Sequence, residues 1–153
     1  MYDTMLYVQA ASRPDRTHAS FQAIMDGRLT LCLSPELLAE IRDVLSRENV
    51  RARFPGLTPQ AVEIFTADVF ARGTMIDPVP HAFTWGQHPQ DDHLFNLAIS
   101  TKAGYLVTWE NRILKLGIDT TPAANLLRQL APNLSIVSPA NLAAKLKLQR
   151  ETL

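Results

Sequence analysis

The sequence is poor in the features that would commit it to several large classes. It has one cysteine in 153 residues, Cys32 in the apolar run LTLCL. A disulfide framework is thereby excluded, and the thiol reads as a small buried hydrophobe. No apolar run approaches the roughly 18–20 residues that a membrane-spanning helix needs. The stretch MYDTMLYV lacks the basic start and small-residue cleavage site of a secretory leader, so the cytoplasm is the expected location. Net charge is also lacking. Lys+Arg and Asp+Glu are 15 each, so charge alone does not demand a nucleic-acid partner, and local distribution leaves one open. There is no GxGxxG and no GxxxxGKS/T loop, which argues against dinucleotide enzymes and P-loop NTPases. There is no GxSxG elbow, no HExxH pair, no internal repeat and no low-complexity linker.

What is present reads as one globular domain over residues 1–153, with 46% hydrophobic and 20% charged residues. Short apolar runs alternate with helical patterns. MYD reads as a very short first strand and PDRTHASFQAIMDG as a helix, with Pro14 near its start and Gly27 past its end. RLTLCLS is strand-like. PELLAEIRDVLSR is a helix capped by Ser34 with Pro35 first, and TPQAVEIFTADVFARG repeats that design with Thr58 and Pro59 and stops at Gly73. TMIDPVP is a short strand, and DDHLFNLAISTKAG is a helix closing on Gly104. YLVTW is a strand, ENRILKLG and TPAANLLRQLAP are helical, LSIVS is a strand and PANLAAKLKLQRE a last helix. Strands alternating with helices predict an α/β fold with a mostly parallel sheet, in which sites form beyond the carboxyl ends of the strands.

Several acids sit at such places. Asp3 follows the first apolar residues, at a strand end if MY is strand and in a surface turn otherwise. Glu40 borders a core face. At 100° per residue, Val44, Leu37, Ile41, Leu45 and Leu38 span about 40° to 160° from it, while Glu36 and Asp43 fall on the solvent side. A solvated helix acid is the plain alternative. Asp91 shares a face with Leu94, Phe95 and Ala98, whereas Asp92 lines up with Asn96 at the edge; helix capping is the alternative for Asp91. Glu110 lies just past YLVTW with Thr108 before it, and N-capping of ENRIL is its alternative. Carboxylates gathered together repel and would have raised pKa values, a conflict that a divalent cation removes. Oxygen ligands suit Mg²⁺ or Mn²⁺, which can activate water and stabilise charge on a phosphodiester.

The ordered set YDTMLYV, LSPELLAEIRDVLSR, HPQDDHLFNLAI and GYLVTWENRIL resembles the PIN-domain family of metal-dependent nucleases, in particular the PIN toxins of bacterial toxin–antitoxin pairs. Order and spacing match over about residues 1–115, and no single motif is specific. The resemblance implies a three-layer α/β/α sandwich with a central, mostly parallel sheet. It implies cleavage of RNA, preferring single strands, with Asp3, Glu40, Asp91 and Glu110 holding Mg²⁺ or Mn²⁺. Thr4, Thr108 and Asn96 would orient acids or water, and Asp92 would be a rim or supporting residue. A cognate antitoxin and a homodimer are implied as well.

The sequence departs from the family pattern at four places. Met5 stands where Asn usually follows Asp-Thr. His88 stands before Pro89, where Asp is common. Glu110 and Arg112 follow YLVT where the family commonly has Asp and then another acid. Met5, Glu110 and Arg112 motivate an alternative: a catalytically weakened module that keeps the fold and binds RNA or a partner protein. Arg112 and Lys115 are candidate phosphate contacts beside Glu110. His81, His88 and His93 read as loop residues at the rim, since the cysteines or HExxH of a zinc site are absent. Arg47, Arg51 and Arg53, with Phe54, read as a solvated helix end. A receiver-type acid pocket would need another order of acids and a late lysine.

Overall fold

A computed structural model describes residues 1–13 and 19–151. The fold is α/β with parallel strands, as the alternation of runs predicts. The chain divides into two compact units, Met1–Asp3 with Pro80–Leu153, and Thr4–Val79.

The first of these is built on parallel strands. β3 (Tyr105–Val107) pairs in parallel with β4 (Ser135–Val137). Tyr2 forms a parallel bridge to Val107 on the other side. Asp3 N–H donates to the Val107 carbonyl at 2.9 Å, and Val107 N–H donates to the Met1 carbonyl at 2.9 Å. Three segments thus run side by side in one direction, and Asp3 and Thr108 both stand just past the carboxyl ends of theirs. The strands are short because each apolar run is short; Leu106 and Val107 are fully buried.

A 3₁₀ turn (Pro89–Asp91) leads into helix α6 (Asp92–Thr101), whose Leu94, Phe95, Leu97 and Ala98 are buried. This helix ends earlier than expected. The left-handed residue is Lys102 (φ 51°), not Gly104, and Ala103 N–H reaches back to the Ala98 carbonyl at 3.0 Å. Helices α7 (Asn111–Leu116), α8 (Pro122–Leu130, capped by Thr121) and α9 (Pro139–Glu151) complete this unit.

The second unit pairs β1 (Leu31–Leu33) with β2 (Gly73–Met75) in parallel. Gly73 is required by close approach, since a Cβ there would meet the Leu33 side chain, with Cγ at 2.7 Å. Helix α3 (Pro35–Leu45) is capped by Ser34, whose hydroxyl accepts from Leu37 N–H at 3.1 Å. Its inward face is the expected arc: Leu37, Ile41 and Leu45 are buried, Glu36 and Asp43 are exposed, and Glu40 is half-buried between them. Helix α5 (Pro59–Arg72) is capped by Thr58 in the same way.

Two helices of this unit have no counterpart among the expected elements. α1 (Thr4–Ser12) buries Leu6, Tyr7, Val8 and Ala11 and so lacks the one-sided stripe by which helices are read. α4 (Glu48–Arg53) is one short turn-and-a-half in the basic stretch, with the Arg53 guanidinium over the Phe54 ring and Arg47 paired to Asp43. The expected helix over 14–27 appears as α2 (Ala19–Met25), and its first residues lie outside the described ones. Among the described residues, no helix is long and apolar enough to cross a membrane.

Candidate active site

The site is assembled at the strand ends of the unit that contains β3 and β4. Its foundation is Thr108, fully buried directly after β3. Glu110 N–H donates to the Thr108 hydroxyl oxygen at 3.0 Å, which leaves the hydroxyl proton for Asp3; Thr108 Oγ1 donates to Asp3 Oδ2 at 2.8 Å. One small side chain therefore orients a carboxylate that is only 5% exposed and sets the turn that carries Glu110.

Neither of the other two acids caps its helix. Asp91 occupies the residue before α6, in helical conformation, and makes no side-chain capping hydrogen bond. Glu110 stands at the same position before α7 and also makes none. Both carboxylates go instead to Arg112. Arg112 Nη2 lies 3.1 Å from Asp91 Oδ2, and Arg112 Nε donates to Glu110 Oε2 at 2.6 Å. The remaining nitrogen, Nη1, lies 2.9 Å from His88 Nδ1. A guanidinium can only donate, so His88 accepts through Nδ1 and carries its proton on Nε2. The His88 ring is in turn set edge-on to Trp85, with centroids 4.6 Å apart. The Arg112 guanidinium is held above its ordinary pKa, chiefly by the hydrogen bond to Glu110 and against partial burial, with the charges of Asp91, Glu110 and Asp3 adding to the effect. Asp3 thus belongs to the electrostatic surroundings of the same cation.

Asp92 and Asn96 hold the loop beside this network. Asp92 Oδ1 accepts from Trp85 N–H at 2.8 Å. Asn96 Oδ1 accepts from Ala82 N–H at 2.7 Å and Phe83 N–H at 2.8 Å, while its Nδ2 donates to the Phe83 and Asp92 carbonyls. The expectation that Asn96 orients an acid or a water meets a different arrangement, because its amide is engaged by backbone. Asp92 likewise fastens the loop that carries Trp85. His81 pins the same loop through Thr84, at 2.8 Å from its hydroxyl. Lys115 is exposed on α7, three residues beyond Arg112.

Glu40 and Thr4 lie in the other unit, where Glu40 is half-buried on α3 and Thr4 is buried at the start of α1. Met5, exposed on α1, has no hydrogen-bonding side chain to replace the amide expected there.

A family model described as a PIN domain matches residues 1–112. The chain belongs to the PIN-domain family. No curated protein and no solved structure matches it. PIN domains are nuclease-type α/β folds that act on nucleic acid and generally use a divalent metal. The match takes in Asp3, Glu40, Asp91 and Glu110 and reaches Arg112, its last residue.

Whether this PIN domain's residues suit a metal has a divided answer. The donors are carboxylate oxygens, the chemistry that Mg²⁺ and Mn²⁺ prefer. Their present arrangement serves another cation: two of the carboxylates face the Arg112 guanidinium. Among the described residues, no group of three or more His, Cys, Asp or Glu side chains stands ready to hold a metal ion. The sequence shows His88 and Arg112 as separate oddities. Their mutual contact, across 24 positions, had no signal in the sequence.

Proposed function

We propose that the chain is a Mg²⁺- or Mn²⁺-dependent endoribonuclease that hydrolyses RNA phosphodiesters in the cytoplasm, as the toxin of a type II toxin–antitoxin pair. The observation that carries the reading is the buried Asp3, oriented by Thr108 at a strand end, with Asp91 and Glu110 drawn to one cationic position beside it. Asp3, Asp91 and Glu110 are the proposed metal ligands. Glu40 enters on the sequence pattern alone. A bound metal would supply an activated water and neutralise the phosphodiester. Within the chain, Thr108 fixes Asp3, the 3₁₀ turn before α6 presents Asp91, and Trp85 and Asp92 hold the flanking loop. Exposed Lys115 is the proposed phosphate contact on α7.

A protein partner is part of the same reading. Its support is an apolar groove of about 690 Å³ in the Thr4–Val79 unit, lined by Phe21, Ile24, Met25, Phe54, Ile64 and Phe65. A cognate antitoxin and a homodimer are the proposed assemblies. A second reading, a non-catalytic module that binds RNA or protein, is favoured by one observation: Arg112 already neutralises two of the acids.

The test is cleavage of single-stranded RNA by the purified protein in Mn²⁺ or Mg²⁺ against chelator, with Asp3→Asn and Asp91→Asn as controls. Metal-dependent cleavage lost in both variants is the expected result. Cleavage unchanged in Asp3→Asn and Asp91→Asn counts against these acids as the metal site, and no cleavage by the parent moves the assignment to the binding module.

A further inference from the structure

We infer that Arg112 is a built-in counter-cation of the acid site: it competes with the divalent metal for Asp91 and Glu110, so that metal binding requires Arg112 to let go. The inference rests on the proposal that these acids take a metal, and it adds which residue of the chain opposes that metal.

The geometry has three parts. First, each of the three guanidinium nitrogens faces a different partner. Nε is on Glu110 at 2.6 Å, Nη2 on Asp91 at 3.1 Å and Nη1 on His88 Nδ1 at 2.9 Å. A planar fork with each nitrogen on a different partner is held in one orientation, which a flexible ammonium would not be. Second, the contacted oxygens belong to two of the three acids proposed to hold the metal. A divalent ion on Asp91 Oδ2 would stand next to a guanidinium nitrogen 3.1 Å from that same oxygen. Two cations cannot share so small a space without strong repulsion, so one leaves. Third, the arginine is able to leave. Its side chain is 36% exposed, as is that of Glu110, whereas the Asp91 side chain is 12% exposed. The acid is fixed and the arginine sits on the solvent side of it.

His88 gives the arrangement a second handle. It touches the guanidinium only through neutral Nδ1 and makes the third point of the clamp. Removing it loosens Arg112 without altering any carboxylate. In the absence of metal, Arg112 offsets the repulsion between Asp91 and Glu110; with metal, that role passes to the ion.

The test is Mn²⁺ titration by calorimetry on wild type, Arg112→Gln, His88→Ala and Asp91→Asn, with thermal unfolding of each in chelator and in Mn²⁺. Removing the arginine is expected to tighten Mn²⁺ by at least about fivefold, the low end of coupling between two binding events. His88→Ala should shift affinity in the same direction by less, and Asp91→Asn should abolish binding. In chelator Arg112→Gln should melt below wild type, and Mn²⁺ should raise its Tm by more than it raises that of wild type. Mn²⁺ binding only in Arg112→Gln would be the strongest support. Equal affinity in wild type and Arg112→Gln, lost in Asp91→Asn, overturns the competition while leaving the metal site standing. Absence of binding in every variant overturns both. If Arg112→Gln does not fold, His88→Ala decides: unchanged affinity there overturns the inference.

Discussion

Replacing Thr108 by valine removes a hydroxyl and almost nothing else. The side chain is fully buried, and valine keeps its shape. Two hydrogen bonds disappear. One runs from the hydroxyl to Asp3 at 2.8 Å, and the other brings Glu110 N–H to the hydroxyl oxygen at 3.0 Å. A bond to a charged group contributes roughly 1.5–3 kcal/mol and a neutral one roughly 0.5–1.5 kcal/mol, so the expected cost is about 2–4 kcal/mol. That is a large part of the roughly 5–15 kcal/mol that holds a typical domain together. Thr108→Ser is the matched control. It keeps the hydroxyl, loses one buried methyl and should cost about 1 kcal/mol. Urea unfolding of the three proteins, with m-values compared, reads both numbers. The reasoning is refuted if Thr108→Val lies within about 0.5 kcal/mol of wild type, or if serine is as damaging as valine. In the first case the hydroxyl does not hold Asp3; in the second, packing and not the hydroxyl is what matters.

Other outcomes follow from single contacts. Asn96→Ala should cost about 2–4 kcal/mol, because the buried N–H of Phe83 loses its acceptor, and amide exchange at Ala82 and Phe83 should speed up selectively; unchanged exchange at both would contradict the loop assignment. Lys102→Gly should stabilise the protein by about 0.5–1 kcal/mol, since the left-handed backbone at φ 51° suits glycine, and a lower denaturation midpoint would count against this reading of the α6 terminus. Gly73→Ala should destabilise by about 1–3 kcal/mol through overpacking against the fully buried Leu33; calorimetric melting of the variant at the wild-type temperature would show that β2 gives way freely.

The alternation of apolar runs and capped helices made the α/β class legible, because Ser34 and Thr58 each announce a helix start by their own chemistry. Helix α1 was hidden, since TMLYVQAAS buries residues around much of its circumference and shows no stripe. Lys102 was hidden for the opposite reason: Gly104 two residues on looks like the natural stop, and a lysine in the left-handed region leaves no trace in the sequence. For the site, strand-end position marked Asp3, Thr108 and Glu110. What sequence could not give is the destination of each carboxylate. Asp91 and Glu110 both look like helix caps, and both turn to an arginine whose third partner, His88, lies 24 residues away. Helical spacing placed Asn96 with Asp92 at the edge of α6, and it gave no sign that two backbone N–H groups of the 82–83 segment claim the Asn96 oxygen.

The central claim is that Asp3, Asp91 and Glu110 form a divalent-cation site of a PIN-type nuclease. The most direct measurement is an anomalous-difference map from crystals of the protein soaked in Mn²⁺. The account expects a peak bonded to Asp3 and Asp91, with the Arg112 guanidinium moved off Asp91. A map without a peak at these acids, with Arg112 still paired to Asp91 and Glu110 at saturating Mn²⁺, would contradict it.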